Sequence, residues 1–150
     1  MQVFAIKQEG RHDLPQYDMT AVFEALVNAV AHRDYSIYGA KIRLRIFADR
    51  LELYSPGAIP NTMTVESLPY RQAARNEAIT SLLAKCAVPG GDQEFTGRSA
   101  MMDKRGEGVQ IILDSSERLS GQRPVFSLVD ESELLLVIPA AVPPGYERQQ

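Results

Sequence analysis

The stretch Asp18-Met-Thr-Ala-Val-Phe-Glu24-Ala-Leu-Val-Asn28-Ala-Val-Ala-His32-Arg33 decides how this chain is read. Asp18 is a good N-cap, because its carboxylate can accept from the free N–H groups of a first helical turn. From there to about Arg33 the residues keep a helical period. At roughly 100° per residue, Val22, Phe23, Leu26, Val27 and Val30 share one face, which reads as the face turned to a core. Glu24, Asn28 and His32 fall four apart and make a separate polar stripe. Ala21, Ala25, Ala29 and Ala31 flank that stripe, where a solvated helix more usually carries Lys and Glu. Side chains this short let another group approach the backbone closely.

Working outward, Val3 to Lys7 reads as a strand, followed by a polar loop with Gly10 and Pro15. Lys41 to Phe47 alternates Ile42, Leu44, Ile46 against Lys41, Arg43, Arg45, the pattern of a half-buried strand. Ala48-Asp49-Arg50 is a turn, and Leu51 to Tyr54 the return strand, with Glu52 on the Arg43/Arg45 side. Ser55-Pro56-Gly57 ends it sharply. A short helix is expected around Val65 to Leu68, and a longer one from an Asn76 N-cap through Lys85, with Ile79, Leu82 and Leu83 inward. Val88 to Arg105 has little periodicity, and a loop of that length in a small domain is usually functional or mobile. A helix from Val109 to about Leu119 follows, with Ile112 on its apolar face, then strands Val125–Val129 and Leu134–Ile138 around Asp130-Glu131-Ser132. The tail from Pro143 reads as polar and frayed. Strands and helices mix without βαβ alternation, so the class is α+β, a sheet with helices on one face.

Composition sets the outer bounds. The chain has 150 residues, a length suited to one domain with its own core. Hydrophobic residues make up 45%, which argues against disorder. Apolar runs are too short to span a bilayer, and the start carries no secretory pattern, so no membrane partner is expected. Cys86 alone excludes an internal disulfide framework and a multi-cysteine zinc site, and fits a reducing, cytoplasmic setting. His12 and His32 are too few for a metal cluster. A net charge of −3 gives no global attraction to nucleic acid.

Several residues are candidates for chemistry. Glu24 and Asn28, one turn apart, put a carboxylate and an amide on one side of a pocket. The first can activate a water, and the second is a hard ligand for a magnesium ion that also holds phosphates. Taken alone, the pair reads more simply as a solvated stripe. Gly106-Glu107-Gly108 at a helix start suits close approach of a phosphate to free N–H groups, with Lys104 and Arg105 to offset Glu107. The bland reading is a loop-to-helix junction. Ser55 to Pro60 alone is a simple turn. His32-Arg33-Asp34-Tyr35 mimics the kinase catalytic triplet, but Gly39 stands where that family needs Asn. His32, at a helix C-terminus, reads as a favoured cation that closes the helix or lines the pocket. There is no P-loop and no nucleophile elbow, and Cys86 reads as a core or near-core thiol.

In combination these pieces are far more specific. Glu24 to Tyr35, then Asp49 to Pro60, then Arg75-Asn76, then Arg105 to Gly108 resemble the C-terminal module of RecG-related ATP-dependent DNA helicase or transcriptional-regulator proteins. That module is similar to the GHKL (Bergerat, HATPase-type) ATPases, among them gyrase, histidine kinases and MutL. The resemblance runs from about Pro15 to Pro139. It implies a two-layer α/β sandwich, with a mixed sheet, helices on one face and ATP under a lid at Val88 to Arg105. It implies Glu24 as the water-activating base and Asn28 as the magnesium ligand. It implies Ser55 and Gly57 in place of the adenine-reading box, His32 beside the nucleotide, and Gly106 and Gly108 near the phosphates. ATP and Mg²⁺ are the implied cofactors, and a homodimer the implied assembly. Two positions depart from the pattern. Tyr54 and Ser55 stand where an adenine-reading aspartate is expected, and Ala58 replaces a glycine. Residues 1–150 are therefore expected to be a single GHKL-like domain with an ordered core of about 15–139, a fragment of a longer protein. Nucleic acid would be bound only through domains absent from this chain. The expected function is Mg-ATP binding with slow hydrolysis at most and no helicase motor. The alternative is a degenerate, non-catalytic regulatory or dimerisation domain that has lost ATP.

Overall fold

The computed structural model describes residues 3–7, 11–59, 64–69, 75–90, 97–102 and 106–143, with 3–7 and 11–13 as backbone only. Strands β1 (Val3–Lys7) and β2 (Arg11–Pro15) pair antiparallel, from Val3↔Pro15 to Lys7↔Arg11. β2 replaces the expected polar loop. A five-residue segment that mixes charge with a terminal proline carries too short an alternation to be seen in sequence, and proline is tolerated at such a strand end. Gly10 and the tail beyond Pro143 lie outside the described residues.

Helix α1 (Met19–His32) starts where Asp18 predicts, its Oδ1 accepting from the Ala21 N–H at 2.9 Å. β3 (Arg43–Ile46) and β4 (Arg50–Pro56) form the expected hairpin, with Arg45 opposite Glu52. Helix α2 spans Glu77–Leu83 and α3 spans Gly108–Ser120, closed by left-handed Gly121, whose N–H donates to the Glu117 carbonyl at 2.8 Å. β5 (Val125–Val129) and β6 (Glu133–Pro139) flank a turn with Asp130 and Glu131 at positive φ. The four-stranded sheet runs β3-β4-β6-β5. Each of its pairings is antiparallel, so the mixed sheet expected from the resemblance is here an antiparallel one: two hairpins joined along β4 and β6.

The α+β sandwich itself is observed. Leu51 lies opposite Ile138 and Leu53 opposite Leu136, all on the face toward the helices. They close the core with Val22, Ala25, Ala29 and Ile112. Each large side chain so buried contributes about 1.5–3 kcal/mol relative to exposure. On the other face Glu52 accepts from Arg50 Nε at 2.7 Å and from the Tyr54 hydroxyl at 2.8 Å. Arg43 Nη2 donates to both carboxylate oxygens of Glu133, at 2.8 and 2.7 Å. Arg43 and Arg45 lie 4.5 and 5.5 Å from the Tyr54 ring centre.

Other expectations are corrected. β3 is an edge strand, exposed along its length rather than half-buried, because no helix among the described elements covers it. Residues 65–69 form turns, not a helix: Thr64 and Ser67 bond each other's backbone and Pro69 follows at once. Leu82 faces outward at 63% exposure while Thr80 is buried, since α1 is the one helix or strand that α2 packs on among the described elements. Cys86 is exposed rather than core or near-core, lying just past α2. Within the expected long loop, residues 97–102 are fastened to 83–88. Ala87 bridges Ala100, Val88 N–H donates to Ser99 and Met101 N–H to Cys86.

A buried carboxylate and a half-buried amide against a glycine

The face of α1 that turns inward only partly coincides with the one its hydrophobicity suggests: Val22 and Val27 are buried as expected, Leu26 and Val30 are not. Ala21, Val22, Glu24, Ala25, Val27, Ala29 and Ala31 are buried, while Leu26 and Val30 are 38% and 40% exposed. The physical reason is size. α3 crosses α1 on the alanine side, where short side chains allow two helices to close up. Glu24 is thereby carried into the interior, with Asn28 and His32 half-buried beside it.

Glu24 is 2% exposed. At the start of α3, a Cβ built on Gly108 would stand 2.6 Å from Asn28 Nδ2 and 3.0 Å from Glu24 Oε2. Only a residue without a side chain fits there, so Gly108 presses the first turn of α3 directly onto the Glu24/Asn28 pair. Asn28 Nδ2 donates to the Glu24 carbonyl at 2.9 Å. The amide nitrogen is thus held by the helix, and its oxygen is the atom left to serve a ligand. Arg98 enters from the 97–102 segment and ion-pairs with Glu24 Oε1, the two side chains being 15% and 3% exposed. Nothing in the sequence marked Arg98, which sits in a stretch without period. Gly106 is half-buried at φ 73°, and Glu107 is exposed with no capping bond, its charge directed to solvent. Lys104 and Arg105 lie outside the described residues.

The other predicted site residues gather at the C-terminus of α1. Each of its last carbonyls receives a side-chain donor. Ser55 Oγ donates to Ala29 at 3.2 Å and Tyr35 OH to Val30 at 2.7 Å. Asn76 Nδ2 donates to Ala31 at 2.9 Å and Arg33 at 2.7 Å, and Arg75 Nη1 to His32 at 3.4 Å. These are the groups a helix end leaves unpaired. Asn76 therefore spends its amide on α1 rather than capping α2. Gly57, at φ 124°, lies against this clamp, and a Cβ there would stand 2.8 Å from Asp34 Cβ and overlap the Arg75 guanidinium. The Gly57 N–H donates to Ser132 and the Asp34 N–H to Pro56, at 2.8 and 2.7 Å. Pro60 lies outside the described residues. Desolvation pushes the His32 pKa down, and Arg75 adds to the shift, which favours the neutral imidazole over the expected cation.

One described cleft, of about 150 Å³, is lined by Ile37, Ala40, Pro56, Ser132 and Glu133 and includes none of Glu24, Asn28 or Gly108. No group of three or more His, Cys, Asp or Glu able to hold a metal occurs among the described residues. No helix among them is long and apolar enough to cross a membrane.

Residues 39–138 match the family described as "Putative ATP-dependent DNA helicase recG C-terminal". The chain belongs to this RecG C-terminal, HATPase-type family. The match takes in Ser55, Gly57, Gly106 and Gly108 and begins after α1, so Glu24, Asn28 and His32 precede it. The chain is also similar to the crystal structure of the DIP2311 protein from Corynebacterium diphtheriae, with a TM-score of 0.75 and 25% identity over 95% of this chain. It spans 27% of that solved chain. No curated protein matches it.

Proposed function

We propose that this domain binds Mg-ATP beside the junction of the Glu24/Asn28 stripe with the first turn of α3, and hydrolyses it slowly at most. The reading rests on one observation: Gly108 lies directly against both the Asn28 amide and the Glu24 carboxylate. Family membership supports it. The donor set also fits. One amide oxygen suits a hard ion that keeps several waters and takes its remaining ligands from phosphates. Asn28 would hold magnesium, and the free N–H groups at the start of α3, next to Gly106 and Gly108, would meet the phosphates. Glu24 would orient and deprotonate the attacking water. Ser55, Gly57 and His32 would border the base. The bound magnesium supplies charge neutralisation for the polyphosphate. A helicase motor has no place in this reading, since the chain carries no P-loop.

A second reading, a regulatory or dimerisation domain that no longer takes ATP, is favoured by Ser55. Its hydroxyl hydrogen is committed to the Ala29 carbonyl, and no carboxylate stands in its place to read an adenine. Thermal denaturation with increasing Mg-ATP separates the two. Binding predicts about 2.7 kcal/mol of added stability at 100 times the dissociation constant. No shift at millimolar nucleotide supports the second reading. If binding is found, Glu24→Ala should retain it and lose turnover, and unchanged turnover would remove Glu24 from the mechanism.

A further inference from the structure

Arg98 reaches the buried Glu24, and nothing in the proposed chemistry uses it. Its position is built. The 97–102 segment that carries it is tied to the chain after α2 by the Ala87–Ala100 bridge and by the bonds Val88 to Ser99 and Met101 to Cys86. Its guanidinium lies against a carboxylate that also touches the Gly108 turn, where the polyphosphate would enter. Carboxylate and phosphate oxygens are competing partners of the same planar fork. A Glu24 held by a guanidinium directs its lone pairs at a cation rather than at a water.

We infer that Arg98 pairs with Glu24 in the nucleotide-free domain and transfers to the polyphosphate on binding, releasing the carboxylate to a water. This rests on the Mg-ATP reading above and adds a latch to the same site. The latch costs binding energy, because the triphosphate must win Arg98 from Glu24. Removing the carboxylate charge should therefore tighten nucleotide binding, and only while Arg98 is present.

Titration calorimetry of the whole chain with Mg-ATP, across wild type, Glu24→Gln, Arg98→Gln and the double variant, tests this. Glu24→Gln is expected to bind at least about fivefold more tightly than wild type, and the gain is expected to vanish in the Arg98→Gln background. Equal affinities for wild type and Glu24→Gln would overturn the latch while leaving the Mg-ATP site standing. Failure of both to bind would overturn the site and the latch together. Because Glu24→Gln leaves a guanidinium buried, a measurement on wild type keeps the question open to refutation. The Arg98 Nε–H resonance, assigned by its loss in Arg98→Lys, is expected to move on saturation with Mg-ATP. A resonance unmoved at saturation would overturn the transfer.

Discussion

Gly108 and Gly57 are the residues at which this account is most easily broken. A methyl group at 108 would meet Asn28 Nδ2 at 2.6 Å and Glu24 Oε2 at 3.0 Å, neither of which can yield far inside a helix–helix contact. Gly108→Ala is therefore expected to cost about 1–3 kcal/mol in chemical denaturation and to abolish any Mg-ATP response. An undiminished response would show that the two helix surfaces do not need this contact. His32 supplies a prediction in pH. Its folded pKa lies below the ordinary 6.5 through burial and through Arg75, so the unfolded chain takes up its proton first. Stability should be full above about pH 6.5 and fall as pH is lowered through that value, and His32→Gln should flatten the decline. A pH 5–7.5 denaturation series in which wild type and variant run parallel would remove His32 as the cause.

At the scale of elements, the C-terminus of α1 is held by side chains from three other segments. Asn76→Ala deletes the donors to Ala31 and Arg33 and is expected to cost about 1–3 kcal/mol. Hydrogen exchange should quicken in the last turn of α1 and not in α3, and uniform acceleration would argue for a global rather than local role. Much of this level was legible in the sequence. Asp18 announced the start of α1, the alternation Ile42-Leu44-Ile46 the β3–β4 hairpin, and Ile112 the buried face of α3. What escaped was set by tertiary contact. Periodicity turned Leu26 and Val30 inward because they are the larger apolar groups, but α3 approaches along the alanines, where there is room. The same contact buries Glu24 and half-buries Asn28, which alone read as a solvated stripe. Leu82 and Cys86 were misplaced because few partners reach α2. Arg98 had no local signal, since its partner lies 74 residues earlier and is met only through the fold.

At the scale of the whole molecule, a sandwich of an antiparallel sheet and two crossed helices holds an acid, an amide and a glycine turn together, with the β1–β2 ribbon outside it. Among the described elements β1 and β2 meet only each other, whereas Gln16 and Tyr17 just beyond are buried in the main body. Truncation before Leu14 is therefore expected to change the stability of that body by no more than about 0.5 kcal/mol, as read by thermal unfolding. A larger loss would mean that the ribbon packs on it. The family relationship and the fold were both readable from the order of motifs. The proposed nucleotide site was legible only as a pattern, since Ser55 stands where the resemblance implies an adenine-reading aspartate. The most direct test of the central claim is calorimetric titration of folded wild type and Asn28→Ala with ATP, with and without magnesium. The account predicts saturable one-to-one binding by wild type that needs magnesium, and loss of that magnesium dependence in Asn28→Ala. Absence of binding by folded wild type at millimolar Mg-ATP, or binding indifferent to both magnesium and Asn28, would contradict it.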